Sequence, residues 1–137
     1  MNLLTATKIA GSGLQVQKLR LNVAATNIAN ADVTRTAEGG PYRAKDVVVR
    51  AVPLSEKEPF LKKVEVAAIV DDPAPFKEVY DPGHPDADKR GIVKYPNVDI
   101  ITEMVELLSA GRAYEANLTV LSSTKSMVNR TIDLLRT

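Results

Sequence analysis

Cysteine and tryptophan are absent from this 137-residue chain, histidine occurs once, and two phenylalanines and four tyrosines are its whole aromatic complement. Without cysteine there is no disulfide framework and no thiolate chemistry, and the redox compartment is left open. So few aromatic rings weigh against a carbohydrate platform or an aromatic cage. A marked excess of either charge is missing too, since the formal net charge is +1. Nucleic-acid and membrane-surface binders usually carry a strong basic excess, so neither class fits well. No apolar run approaches the roughly 20 residues that span a bilayer, so bilayer insertion is not expected. The opening Met1–Thr7 segment lacks the basic start and continuous apolar stretch of a secretory signal. Export from the cytoplasm would need another route.

Proline is missing from both ends. All eight prolines fall between Pro41 and Pro96, and the flanking segments read as amphipathic helices. In the C-terminal arm, Met104, Gly111, Leu118, Lys125 and Ile132 occupy one heptad position, and Leu107, Tyr114, Leu121, Val128 and Leu135 the other. Only Gly111 and Lys125 interrupt an otherwise apolar stripe, and a stripe that regular wants another helix against it. The N-terminal arm, from about Asn2 to Asn30, sets Thr7, Leu14, Leu21 and Ile28 against Leu3, Ala10, Gln17, Ala24 and Ala31. Its alanine-rich row makes a thin seam that admits close helix approach. Gly11 and Gly13 each cost about 1 kcal/mol relative to alanine in a helix, which predicts a weak joint or frayed turn there. Asn30, Asp32 and Thr34 compete for backbone hydrogen bonds and predict a stop near residue 31.

The middle is punctuated. Gly39-Gly40-Pro41 forbids helix, and Asp46–Val52 is a β-branched run that Pro53 is expected to end. Lys63–Val70 begins with polar and apolar residues in alternation, Lys77–Tyr80 and Gly91–Tyr95 are short strand candidates, and Asp81–Pro85 is turn. Hairpin-length connections favour antiparallel pairing. After Pro96, Asn97 or Asp99 can cap the second arm, with Asp99, Glu103 and Glu106 near the positive end of its dipole. The expected fold is mainly α with a small β-rich insert: a helical arm over 1–33, a Pro-rich β region over 34–97 and a helical arm over 98–137. The two arms pair as one coiled-coil-like unit. Lys8, Lys18 and Arg20 give residues 1–31 a charge of +3, so pairing with Glu103 and Glu106 is expected to set register more than stability.

Chemistry-bearing clusters are weak. Asp81, His84, Asp86 and Asp88 gather donors suited to a hard cation, but the bidentate glutamate that closes a calcium loop is missing. A rigid surface turn explains them better, and no metal, cofactor or catalytic residue is expected. His84 has no serine or further carboxylate in a relation that would activate a nucleophile. Arg112, Tyr114 and Glu115 sit mid-helix, either as a solvated charge face around a buried ring or as a contact for a neighbouring helix. Asn27 and Asn30 read as capping residues.

Three stretches together resemble the bacterial flagellar rod and hook proteins. The first runs from Gly13-Leu14 through Arg20-Leu21-Asn22-Val23 and Asn27-Ile28-Ala29-Asn30-Ala31 to Gly39-Gly40-Pro41-Tyr42-Arg43. The second is Tyr80-Asp81-Pro82-Gly83-His84-Pro85-Asp86-Ala87-Asp88, then Gly91 and Tyr95-Pro96-Asn97-Val98-Asp99. The third is Glu103-Met104-Val105 and Arg112-Ala113-Tyr114-Glu115-Ala116-Asn117. Thr26 departs from the family pattern, which usually has a second asparagine beside Asn27. The second stretch is similar to a segment that marks proximal-rod members.

The resemblance implies a non-enzymatic structural subunit that polymerises through its terminal helices into a hollow axle transmitting torque for motility. It further implies a periplasmic rod, passage through the flagellar type III export apparatus without a cleaved signal, and itself and other rod subunits as partners. Periodicity offers Leu14, Leu21, Ile28, Met104, Leu107, Leu118, Leu121, Val128, Ile132 and Leu135 as assembly interface. The resemblance adds Asn27, Asn30, Arg112, Tyr114 and Glu115. Two rival readings are a self-contained helical-hairpin adaptor and a metalloenzyme built on His84.

Overall fold

A computed structural model describes residues 3–136. Helix α1 spans Leu3–Ala29, strands β1 and β2 span Lys45–Ser55 and Glu58–Asp71, β3 and β4 span Lys77–Tyr80 and Ile92–Tyr95, and helix α2 spans Ile100–Leu135. The strands form two separate antiparallel pairs, β1 with β2 and β3 with β4. The expected class, long terminal helices around a small antiparallel β region, is what the chain adopts.

Asp99 caps α2 from an extended conformation, its carboxylate accepting the Ile101 N–H at 3.1 Å and the Thr102 hydroxyl at 3.0 Å. Those two donors hold its carboxyl below the usual aspartate value, the Thr102 hydroxyl most strongly. Asn97 does not cap. Its side-chain oxygen accepts the Ala44 N–H, and its amide donates to the Asp72 and Ala74 carbonyls, tying the start of β1 to the segment before β3.

Two expectations are overturned. No joint interrupts α1 at Gly11 or Gly13, and the helix runs unbroken through both. A Cβ on Gly13 would lie 2.8 Å from the Asn117 side-chain nitrogen, so this glycine leaves the room that the Asn117 side chain fills. Pro53 does not end β1 either; it pairs with Lys62, and the strand continues to Ser55. In a two-stranded ribbon each strand has an open edge, so a missing N–H is tolerated there. The β1–β2 ribbon is consequently longer than the apolar runs announced. A register shift between Val48 and Val49 kinks it.

The core is small: Ala10, Val16 and Ala24 on α1, Ala110 on α2, and Ala44, Val93 and Val98 between. The accessible surface is 9620 Å², against about 7,000 Å² for a compact monomer of 14.8 kDa. That surplus is enough for about three interfaces of ordinary size, each burying roughly 800 Å² per partner.

A candidate assembly surface

The two helices run antiparallel, with Asn27 opposite Glu103, Arg20 against Glu106 and Gly13 against Asn117. On α2 the inward residues follow a strict heptad of Glu103, Leu107, Ala110, Tyr114, Asn117, Leu121 and Thr124, each buried or half-buried. On α1 the matching set is Ala6, Ala10, Gly13, Gln17, Arg20, Ala24 and Asn27. One row of each expected seam is therefore in place: Ala10, Gln17 and Ala24 on α1, and Leu107, Tyr114 and Leu121 on α2. The other row is displaced by one residue in both helices, and small or polar side chains fill it.

Asn27 anchors that polar row. It is 1% exposed and makes four hydrogen bonds. Its amide donates to the Lys45 carbonyl (2.9 Å) and to a Glu103 carboxylate oxygen (3.0 Å), and its oxygen accepts from the Tyr42 hydroxyl (2.9 Å) and the Lys45 N–H (3.0 Å). One asparagine thus joins the end of α1, the start of β1 and the first turn of α2. Asn27, an expected assembly contact, is buried within the chain and joins its elements. Asn30 caps its own helix, donating to the Thr26 carbonyl at 2.8 Å.

Glu103 pays for its place in the joint with an upward pKa shift, driven by burial and reinforced by Asp46 and Glu106, with the Asn27 hydrogen bond opposing. Asp46 is also pushed up, first by burial and then by Asp72 and Glu106. Arg20 answers this acidic corner, its guanidinium 2.5–2.6 Å from a Glu106 carboxylate oxygen. The expected basic-to-acidic pairing of the arms is therefore present for Glu106, whereas Glu103 turns to Asn27.

Geometry decides where the displaced apolar rows go. Each step along a helix turns about 100°, and in an antiparallel pair the residue after each seam position turns to the same side on both helices. Leu14, Leu21 and Ile28 of α1 accordingly share one broad face with Met104, Gly111, Leu118 and Ile132 of α2. The ribbon covers the opposite face: Ser12 accepts the Val64 N–H at 3.2 Å, and β1 borders Val23, Thr102 and Glu106 across an open cleft. On the uncovered face Met104 is 52% exposed, Leu118 51% and Ile132 49%. Val128 and Leu135 are exposed as well, in a stretch where every described residue from Lys125 onward is exposed. Arg112 and Glu115 point to solvent, and no ion pair within the chain engages them among the described residues. Tyr114 is half-buried in the seam.

The Asp81–Asp88 loop spends its polar groups on itself and on the segment after α1. Asp81 accepts the Gly83 N–H, His84 Nδ1 accepts the Asp86 N–H, and Asp88 accepts the Arg90 and Ile92 N–H groups. The Ile92 bond is the main reason the Asp88 carboxyl sits below its usual value. Asp86 takes the Thr34 hydroxyl at 2.8 Å and the Arg35 guanidinium at 2.5 Å. These residues staple the loop to the chain leaving α1, and no group of three metal-binding side chains forms among the described residues.

Residues 8–35 match the family described as "Flagella basal body rod protein", and residues 89–134 match "Flagellar basal body rod FlgEFG protein C-terminal". The chain is 48% identical to the flagellar basal-body rod protein FlgC of Yersinia enterocolitica, the match covering 98% of each chain. It is 49% identical to FlgC of Escherichia coli O6:H1, again over 98% of each. It is 41% identical to FlgC of Borreliella burgdorferi over 99% of each.

Proposed function

The chain belongs to the FlgC family of flagellar basal-body rod proteins, and from that premise we propose that it is a proximal-rod subunit that polymerises through its terminal helices. The role is structural and non-enzymatic. The paired helices form an inner domain that stacks with those of neighbours into a hollow, torque-transmitting axle, and the ribbon and the proline-rich loop lie outside it. Its partners are other rod subunits and further copies of itself, with no role for nucleic acid or for insertion into lipid. The subunit reaches a periplasmic rod through the flagellar export apparatus, without a cleaved signal peptide. No helix among the described residues is long and apolar enough to cross a membrane, which fits a rod protein that passes through a channel.

One observation carries the proposal: one row of the hairpin seam closes on small and polar residues, while the neighbouring apolar row of α2, Met104, Leu118 and Ile132, stays about half exposed. A self-contained adaptor would bury that apolar row first, since each large apolar side chain contributes about 1.5–3 kcal/mol when removed from water. Here the chain satisfies its polar groups internally, and the apolar face remains for neighbours. Many such contacts, spread over several neighbours, resist twisting better than one local bond.

Leu118→Asp tests the reading. In cells carrying only this variant, rods fail to assemble and swimming is lost. The purified variant keeps the far-ultraviolet circular dichroism of the parent, because Leu118 is not part of the intrachain seam. Normal swimming by such cells would overturn the proposal.

A further inference from the structure

The two ends of the helical hairpin differ in shape and charge. At the closed end, the end of α1, β3, β4 and the first turn of α2 surround an open cleft of about 420 Å³. Val79, Tyr95, Ile100 and Ile101 give it an apolar wall, and Asp32 and Asp99 stand on its rim. Ile101 is 75% exposed, an unusual position for an isoleucine in the first turn of a long helix. The one cation lining the cleft, Lys77, has its ammonium 2.5 Å from the Val98 carbonyl.

The opposite end is the C-terminal tip of α2, about 54 Å away by the length of that helix. The helix register sets Leu3 level with about residue 127, so the last two turns of α2 extend past the first described residue of α1. That tip bears Val128, Ile132 and Leu135, the last 82% exposed. It also bears Arg130 and Arg136 against the single carboxylate of Asp133. One end is therefore apolar with a basic surround, and the other is an apolar hollow with an acidic rim.

We infer that the C-terminal tip of α2 in one copy seats in the closed-end cleft of a second copy, joining subunits head to tail. Leu135 enters the cleft against Ile101 and Val79, and Arg136 approaches Asp32. The complementarity lies between the two ends of the same chain, so the occupant is another copy and not a mirror-related contact of like ends. Such a heterologous joint propagates along the hairpin axis where the rotation between copies does not close a ring. It is distinct from the uncovered face, whose contacts run sideways. This joint rests on the rod-subunit reading and adds a direction to it.

The lack of cysteine makes the test clean. Ile101→Cys combined with Leu135→Cys should give, under mild oxidation of the full-length chain, a ladder of covalent oligomers. The two positions are too far apart to pair within one molecule, so every bond formed is between copies. Each single variant stops at dimers. A control joining Leu135→Cys with Phe60→Cys, an exposed residue in the β1–β2 hairpin, should form no ladder. In sedimentation without cross-linking, Arg136→Glu should weaken association roughly tenfold, and adding Asp32→Lys should restore most of it. Equal ladders from the control pair, or no recovery in the reversed pair, would overturn the joint. Failure of the ladder while Leu118→Asp still abolishes rods would dispose of the head-to-tail contact alone and leave the rod assignment standing.

Discussion

The inner seam of the helical hairpin and its outer face obey opposite rules. Inside, Gly13, Arg20, Asn27, Glu103 and Asn117 meet across a narrow gap, and every polar group in that row that is buried has a partner. Outside, Met104, Leu118 and Ile132 are about half exposed, beside the half-buried Leu14 and Leu21. A monomer selected for its own stability would reverse this arrangement, because apolar burial is non-directional and strong whereas polar rows must be satisfied bond by bond. What the polar row supplies is register. A slip by one residue would strand Asn27 and Glu103 without partners, so the hairpin can close in only one way. The outer face is then presented at a fixed geometry.

Substitutions on either side should separate the two rules, and the largest effect belongs inside. Asn27→Ala strips partners from the Lys45 N–H and carbonyl, the Tyr42 hydroxyl and Glu103. Unsatisfied buried groups of this kind cost about 1–3 kcal/mol each before relaxation, so a loss of roughly 3 kcal/mol is expected in urea unfolding. Leu118→Asp should do the converse, changing unfolding free energy by less than about 0.5 kcal/mol while abolishing assembly. Equal stability losses for the two variants would erase the distinction between seam and face.

Next in size is a contrast inside one helix. Gly11 has open space where a Cβ would go, so Gly11→Ala should gain about 0.5–1 kcal/mol from helix propensity. Gly13→Ala has the same intrinsic gain but pushes on the Asn117 side chain, whose amide donates to the Ala113 carbonyl at 2.9 Å. Displacing it should leave the variant about 1 kcal/mol less stable than the parent. Thermal melts of the two variants moving in opposite directions would show that Asn117 fills the space beside Gly13; shifts of the same sign would show that it gives way.

Much of this architecture was legible because it follows from backbone chemistry. Prolines bounded the middle, Asp99 announced the start of α2, and Lys77–Tyr80 was recognisable as a strand. Half of the seam was legible too, since Ala10, Ala24, Leu107 and Leu121 follow apolar periodicity. The other half was not, because periodicity counts apolar residues and the missing row is Gly13, Arg20, Asn27, Glu103 and Asn117. Leucines one step away satisfy the same heptad count. Only the hydrogen bonds of Asn27 distinguish the two registers, and those depend on Tyr42 and Lys45, which lie outside both helices. The continuation of β1 through Pro53 was hidden for a related reason: a proline ends a strand inside a sheet, but not on the open edge of a ribbon.

The smallest effect concerns pH and again divides the molecule. Burial raises the Glu103 carboxyl above its ordinary value of 4.5. Its ionised form is therefore disfavoured in the folded chain, and its contribution to stability is fully present below that value and is lost as pH rises through the folded pKa. Asp99 at the α2 cap shifts the other way: its contribution is present above its ordinary value of 3.8 and is lost as pH falls. Glu103→Gln keeps an oxygen for the Asn27 amide and removes the charge. Its urea midpoint should exceed that of the parent at neutral pH, and the gap should close as pH falls past the ordinary glutamate range, where the parent's Glu103 is protonated as well. Asp99→Asn should run opposite, less stable than the parent at neutral pH and converging with it in acid. A gap for Glu103→Gln that stayed constant with pH would mean the carboxylate is solvated in the seam, and the inner row would then hold the helices by shape alone.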